Sequence, residues 1–513
     1  MADAGLDYQP LAGAVPAALC TVDQAQWSAA ADGYAAAGAP LVSLWGSDRR
    51  DLGEGFAVFA AYAAADGLAC VRLRAGGDPP SYPQIASRFP AAARMQRALF
   101  DLLGVRAQGA EDGRPWLRHA AWPAEFLPLR RDADGTRAFA IEQERYEFTT
   151  VTGDGVHEIA VGPIHAGIIE PGHFRFSIVG EKVLRLEERL GYLHKGIDKR
   201  FEGMALADAH RLAGRVSGDS TVAYAWAYAM AVESIAGSRI PPRAAWLRAL
   251  LLERERVANH LGDLGALGND AALAFGLAQF SRLREQWLSL GAEVFGHRLL
   301  MDRIVPGGVA VDPGAAALGR LRAQCDQIER EVVALRAIYD EHAGLQDRFR
   351  TTGIVTPELA ARLGLTGLAG RASGQARDLR VDLAVAPYDR LAVRRAGDER
   401  GDVAARVAVR FDEIAESLRL IRTIAEQLPD GEARLEPPLA DASGFGVGWI
   451  EGWRGDVLVA LEADGSGRVR RCHCHDPSWQ NWPLIEHAVI GNIVPDFPLI
   501  NKSFNLSYSG QDL

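Results

Sequence analysis

Apolar residues recur at helical spacing from Ala205 to about Ala236, and again from Pro241 to about Arg303. Stripes of that length are satisfied only when packed against other helices or a sheet, so they set a helical core at the centre of the fold. Further helices are expected at Ala315 to Ala343 and at Asp402 to Leu428. Strand-like segments flank this core. The stretch from Tyr146 to Leu190 alternates between apolar and polar residues and is broken by Gly and Pro, while "DVLVALEADGSGRVRRCHCH" reads as a hairpin turning at "ADGSG".

Ahead of the helical region, "APLVSLWGSD", "GFAVFAAYAA" and "LACVRLRA" are short runs that predict a small sheet, and "SRFPAAARMQRALFDLLGV" reads as an amphipathic helix. Residues 1–140 therefore form one α+β unit and 141–513 a second, mainly helical unit with short peripheral strands; the Pro- and Trp-rich stretch near 140 is an extended connection. A chain of 513 residues, 48% hydrophobic, has room for two or three such units at roughly 150 residues each.

Composition excludes several functions. A net charge of -10 with no basic block argues against a nucleic-acid partner. No positive segment precedes an apolar one at the N-terminus, and no run of about 18 uncharged apolar residues occurs, so a secretory signal and a membrane span are not expected. Five scattered cysteines, Cys20, Cys70, Cys325, Cys472 and Cys474, do not make a disulfide framework and suit a reducing cytoplasm.

Five blocks in order, "VGPIHAGIIEPGHFRF", "EERLGYLHKGIDKRFEG", "LLLERERVANHLGDLGALGND", "GHRLLMDRIVPGGV" and "RASGQARDLR" with "APYDRL", resemble the large subunit of membrane-bound, energy-converting nickel-iron hydrogenases. The quinone-site (49 kDa-type) subunit of respiratory complex I is similar over the same span. The first 140 residues, through "FPAAARMQRALFDLLGV" and "FLPLRRD", resemble the smaller 30 kDa-type complex I subunit that is fused in front in some relatives.

Where the hydrogenases carry Arg-Val-Cys-Gly-Ile-Cys, this chain has Arg215-Val216-Ser217-Gly218-Asp219-Ser220. Their Asp-Pro-Cys-Tyr-Ser-Cys falls on Asn505 to Gly510, so all four thiolate positions are lost, at Ser217, Ser220, Ser507 and Gly510. Nickel and low-spin iron need soft anionic sulfur donors, which serine does not supply at neutral pH. The resemblance therefore implies no metal bound by this chain and no hydrogenase chemistry. The quinone-binding Asp-Tyr pair of complex I is missing too, with Ser217 and Gly218 in its place, and His165 alone remains of that family's histidine motif.

What the resemblance leaves is a candidate site. His165, Glu170 and Asp219 are its proton-handling candidates, while Ser217, Ser220, His173 and Arg175 are its candidates for contact with a bound acceptor. Each also has a plain structural reading. His165 sits in a Gly/Pro turn, Glu170 suits an ion pair, and Ser217 and Ser220, three apart, suit helix N-caps with Asp219 beside the helix dipole. Cys472, His473, Cys474 and His475 are competent ligands, but alternate residues of a strand face opposite sides, so a plain strand is expected there. "RAGGDPP" opens no helix and supports no dinucleotide fold.

The resemblance implies an iron-sulfur cluster in a neighbouring small subunit, a ferredoxin-like subunit, antiporter-type membrane subunits, and a peripheral place on the cytoplasmic side of the cell membrane. Quinone is the implied acceptor. Two functions fit: electron transfer to quinone, for which the polar residues His165, Glu170, Asp219 and Asp378 argue, or a non-redox scaffold that couples the iron-sulfur protein to the membrane subunits.

Overall fold

A computed structural model describes residues 6–140, 142, 145–383 and 385–513. The first unit is built on a five-stranded sheet. Its spatial order runs Gln9–Pro10, Ala17–Val22, Gly67–Ala75, Gly55–Ala64, Leu41–Arg49. In this sheet Ala17–Val22 and Gly67–Ala75 run parallel, a pairing that needs a crossover; the helix Gln24–Ala36 begins it, started by a capping box between Asp23 and Gln26. The expected amphipathic helix is Ala92–Leu103, stopped by Gly104 in the left-handed region.

The run "GFAVFAAYAA" is apolar throughout because the strand Gly55–Ala64 feeds two cores at once. Ala57, Phe59 and Ala61 point into the cluster that holds the long helices, whereas Phe56, Val58, Ala60 and Tyr62 point into the cluster beneath Ala92–Leu103. Both clusters cross residue 140. Phe174 and Leu193 belong to the same cluster as Trp116 and Leu99, and Val309 to the same cluster as Trp45 and Phe59. Apolar clusters therefore run from one unit into the other. Stacked rings strengthen the contact, with Trp45 lying 5.2 Å from Phe59 and 5.0 Å from His473, and Phe59 lying 5.5 Å from Phe445.

At the centre of the second unit lies the helix Thr221–Ala236, buried along nearly its whole length. Its small residues admit a strand at backbone contact: a Cβ at Gly448 would lie 1.8 Å from the Ala227 carbonyl oxygen. That strand, Ser443–Glu451, forms an antiparallel sheet with Asp456–Asp464 and Val469–His475. The expected hairpin is present, but this sheet is not peripheral. It is buried between the central helix and the first unit's sheet, so every residue of Val469–His475 and all but the last of Asp456–Asp464 are buried, charged ones included. A second three-stranded sheet, Val156–Val161, His173–Val179 and Lys182–Arg189, lies nearer the surface.

Four long helices complete the core: Pro242–Asp270, Ala274–Phe295, Ala315–Glu341 and Val403–Gln427. The apolar stripe from Pro241 to about Arg303 falls on two helices, parted at Ala271–Leu273. Gly268 and Gly276 flank the break and make room for Tyr339, whose hydroxyl donates to the Leu264 carbonyl at 2.8 Å; a Cβ at either glycine would meet it within 2.3 Å. The stripe from Ala205 to about Ala236 is likewise interrupted, with a 3-10 turn over Gly218–Ser220 before Thr221.

Candidate functional site

That interruption is where the replaced positions meet. Ser217 is extended, so its hydroxyl leaves the helical path, donating to Asp219 Oδ1 at 2.6 Å and meeting Ser507 Oγ at 2.9 Å. Ser507 in turn caps the last helix, Tyr508–Asp512, by accepting from the Gly510 N–H at 2.8 Å, and lies 3.3 Å from Ser509 Oγ. A hydroxyl chain Ser509–Ser507–Ser217 therefore ends on Asp219.

Arg454, from the turn between the strands Ser443–Glu451 and Asp456–Asp464, closes the site. It grips Asp219 with both ends of its fork, at 2.9 and 2.5 Å, and reaches Ser220 Oγ at 3.3 Å and the Asn505 carbonyl at 2.5 Å. Its guanidinium lies 3.9 Å from the Trp453 ring. Trp453 and Asn259 both donate to the Asp219 carbonyl at 2.8 Å. Burial alone would raise the Asp219 carboxyl, but Arg454 and the Ser217 hydroxyl outweigh it and hold the group below the usual carboxylate range.

These donors do not fit a nickel-iron centre. Three are hydroxyls and the fourth, Gly510, has no side chain; a Cβ there would lie 2.5 Å from Asp476 Oδ2. Asp476 is itself fixed by the Tyr224 hydroxyl at 2.9 Å and the Ser478 N–H at 2.9 Å. A permanent cation, Arg454, already sits among the four positions.

Glu170 joins this group, its Oε2 accepting from the Ser509 N–H at 3.1 Å. His165 stands beside it, 6.1 Å ring to ring from Tyr508, with Nε2 buried and unpartnered and Nδ1 3.2 Å from the Pro163 carbonyl. His173 and Arg175 lie apart. The first, lowered by burial, shares a 3.3 Å contact with the Gly162 carbonyl, and the second pairs with Glu158 at 3.1 Å over the Phe148 ring. Neither Ser217 nor Ser220 caps a helix with its side chain. Asp378 is placed elsewhere, in a buried ion network with Arg380 and Arg371.

Cys472 and Cys474 face away from the two histidines, as strand alternation requires. His473 Nε2 meets Ser43 Oγ at 2.9 Å, and His475 Nε2 meets Gln480 Oε1 at 2.9 Å. Among the described residues no three His, Cys, Asp or Glu side chains converge as a metal site.

Sequence reading missed Arg454 and Glu255. "WRGD" lies between two apolar strands and carries no motif. Glu255 did carry a signal, because Glu253 to Arg256 puts four charges in a row on a helix with apolar flanks, which places some of them inside on any phase. All four are buried. Glu255 accepts from the Val222 N–H at 2.7 Å and the Ala223 N–H at 3.3 Å, so it is the true cap of the central helix. Burial pushes its carboxyl up to about 8.

Two family descriptions match the chain: the 49 Kd subunit of the respiratory-chain NADH dehydrogenase over residues 263–444, and the 30 Kd subunit over 20–138. The chain belongs to the complex I-like, hydrogenase-large-subunit-like family, with a 30 Kd-type unit fused ahead of a 49 Kd-type unit. Formate hydrogenlyase subunit 5 of Escherichia coli is 31% identical over 487 residues, covering 93% of this chain and 86% of that one. Hydrogenase-4 component G of the same organism is 31% identical over 480 residues, covering 92% and 83%. The NADH-quinone oxidoreductase C/D protein of Bacteroides fragilis is 26% identical over 415 residues, covering 77% and 78%. Among solved structures, a chain of the membrane-bound sulfane sulfur reductase, an archaeal respiratory membrane complex, shares the fold with a TM-score of 0.66 at 24% identity, over 71% of this chain and 100% of that one.

Proposed function

We propose that this chain is the large core subunit of a membrane-associated, complex I-like oxidoreductase that passes electrons from an adjacent iron-sulfur subunit toward quinone or a similar acceptor, couples this to ion translocation, and has no hydrogenase activity. One observation carries the reading: the four lost thiolate positions, Ser217, Ser220, Ser507 and Gly510, are tied by hydrogen bonds to one another or to Asp219 and Arg454, and are not filled with apolar side chains. Buried polar groups cost free energy unless paired, so a paired polar cluster kept where the thiolates were lost supports a site still in use. His165 and Glu170 stand at its outer end.

The partners are an iron-sulfur small subunit, a ferredoxin-like subunit and antiporter-type membrane subunits, with this chain peripheral on the cytoplasmic side of the cell membrane. No described helix is long and apolar enough to cross a membrane, which agrees with a peripheral place. The bidentate Arg454–Asp219 contact favours a second reading, a non-redox scaffold, because it ties the former metal positions shut.

The purified native complex decides between them. The proposal expects quinone-linked turnover, nickel far below one atom per chain, and neither uptake nor evolution of hydrogen. Stoichiometric nickel with hydrogen turnover would overturn it, and an assembled complex inert toward quinones would favour the scaffold.

A further inference from the structure

We infer that a recess at the junction of the two units is a dry binding site for one small, uncharged apolar molecule, of the size and chemistry of a dissolved gas. The site shares no residue with the cluster at Asp219, and its occupancy is independent of the proposed function.

Its walls come from both units: Leu44 and Gly46 from the strand Leu41–Arg49, Ala98 and Leu99 from the helix Ala92–Leu103, and His473 and Trp479 from the second unit. Gly46 admits the helix at close range, since a Cβ there would lie 2.5 Å from Leu99 Cδ1 and 2.8 Å from Leu103 Cδ1. Ala98, by contrast, brings only a methyl group to the corner where strand, helix and second unit meet. A space of about 50 Å³ is left there, larger than the water-sized voids usual in protein interiors.

Aliphatic side chains and the Trp479 ring make up most of the wall, and its charged and hydroxyl groups are already engaged. Ser43 Oγ meets His473 Nε2 at 2.9 Å, and Asp198 Oδ2 holds His473 Nδ1 at 3.5 Å and accepts from Arg471 at 2.8 Å. Lys199 Nζ donates to the Arg130 carbonyl at 3.0 Å and to Glu202 at 2.9 Å. Asp198 Oδ1 and Trp479 Nε1 lack partners, but protein atoms cover both, so neither opens onto the space.

Size and chemistry narrow the ligand. A buried water takes about 10–15 Å³ of such space and needs two to four polar partners, so the recess has room for about three or four heavy atoms and little to hold water. Apolar cavities stay dry, and an engineered one of about 150 Å³ binds benzene or xenon. At about a third of that volume, this one suits xenon or a gas-sized molecule and excludes a benzene ring. A hydroxyl or charge on the ligand would give up its hydrogen bonds to water unreplaced, whereas an apolar molecule gains by leaving water. Pro128, His194, Gly196 and Lys199, all partly exposed, stand on the same wall and give it a mouth at the surface.

Xenon is the probe, read by xenon magnetic resonance on the purified full-length chain. The wild type should show saturable binding of one xenon per chain, with shifts at the Met95 and Leu99 methyl groups. Ala98→Leu fills the corner and should weaken binding at least about tenfold, with a cooperative melt showing that the fold is intact. Leu44→Ala enlarges the space and should admit benzene, which the wild type refuses; this arm decides the matter should Ala98→Leu fail to fold. Methanol, of similar size but hydrogen-bonding, should not displace xenon. Absence of saturable binding to the wild type, or xenon binding that Ala98→Leu leaves intact, overturns the inference. So does displacement by methanol, or a nuclear Overhauser contact from long-lived water to the Met95 and Leu99 methyl groups, since either would show a hydrated, polar recess.

Discussion

Replacing Arg454 with Met removes the cation that neutralises Asp219 and leaves a similar apolar volume. Breaking a fully buried pair from one side costs about 3–5 kcal/mol, and an exposed pair contributes about 0–1 kcal/mol. The Arg454 side chain is 5% exposed and that of Asp219 37%, so the pair lies between these limits and about 2 kcal/mol of local stability is at stake. The loss falls where Ser217, Ser220 and Asn505 meet, so amide hydrogen exchange of peptides spanning 215–222 is the suitable assay; 2 kcal/mol is about a 30-fold faster exchange. Asp219→Asn in the same background should add little, with a coupling of about 1–2 kcal/mol in the double-mutant cycle. Because Asp219 is held below its ordinary range, the pair's contribution is complete above the unfolded carboxylate value, near 4, and is lost only as pH falls through the still lower folded value. The difference between wild type and R454M should therefore be the same at pH 5 and pH 8. Exchange accelerated by less than about threefold, or additive single variants, would refute the view that this pair replaces the metal as the tie between the two ends of the site.

Three further outcomes are expected. Gly510→Ala places a Cβ 2.5 Å from Asp476 Oδ2 and should destabilise the chain by about 1–3 kcal/mol, read as a lower melting temperature; an unchanged melt would mean that Asp476 moves freely. Glu255 has a raised folded pKa, about 8 against an unfolded value near 4.3, so the folded state holds the extra proton and stability falls as pH rises across that window; denaturation curves of Glu255→Gln should lack this component, and parallel pH profiles would contradict it. Trp45→Ala should cost about 3–5 kcal/mol and loosen amides near His473 as well as in the first unit, and a loss confined to the first unit would show that the two units do not share a core.

Local pattern carried most of the elements. Ala315–Glu341 and Val403–Gln427 end within two residues of their expected limits because their stripes are long and Asp402 is an unambiguous cap. The turn at "ADGSG" also fell where the sequence puts it. What pattern does not carry is contact between distant segments. Nothing near Gly268 or Gly276 announces that Tyr339 will enter between them, and periodicity cannot tell a peripheral hairpin from one sandwiched between a helix and another unit's sheet. The same holds for the site. Ser217, Asp219 and Ser507 were marked by the loss of cysteines, and Glu170 by the resemblance of its block to the hydrogenases. Arg454 was not legible, since its role depends on a turn that reaches Asp219 across 235 residues of sequence.

Whether the cluster at Asp219 serves a quinone-linked reaction is tested by the assembled complex carrying Asp219→Asn. Asparagine keeps the size and an acceptor for Ser217 while removing the carboxylate charge, so quinone-linked turnover or ion transport should fall at least about tenfold, a transition-state loss of about 1.4 kcal/mol. Wild-type turnover in a correctly assembled D219N complex would contradict that role.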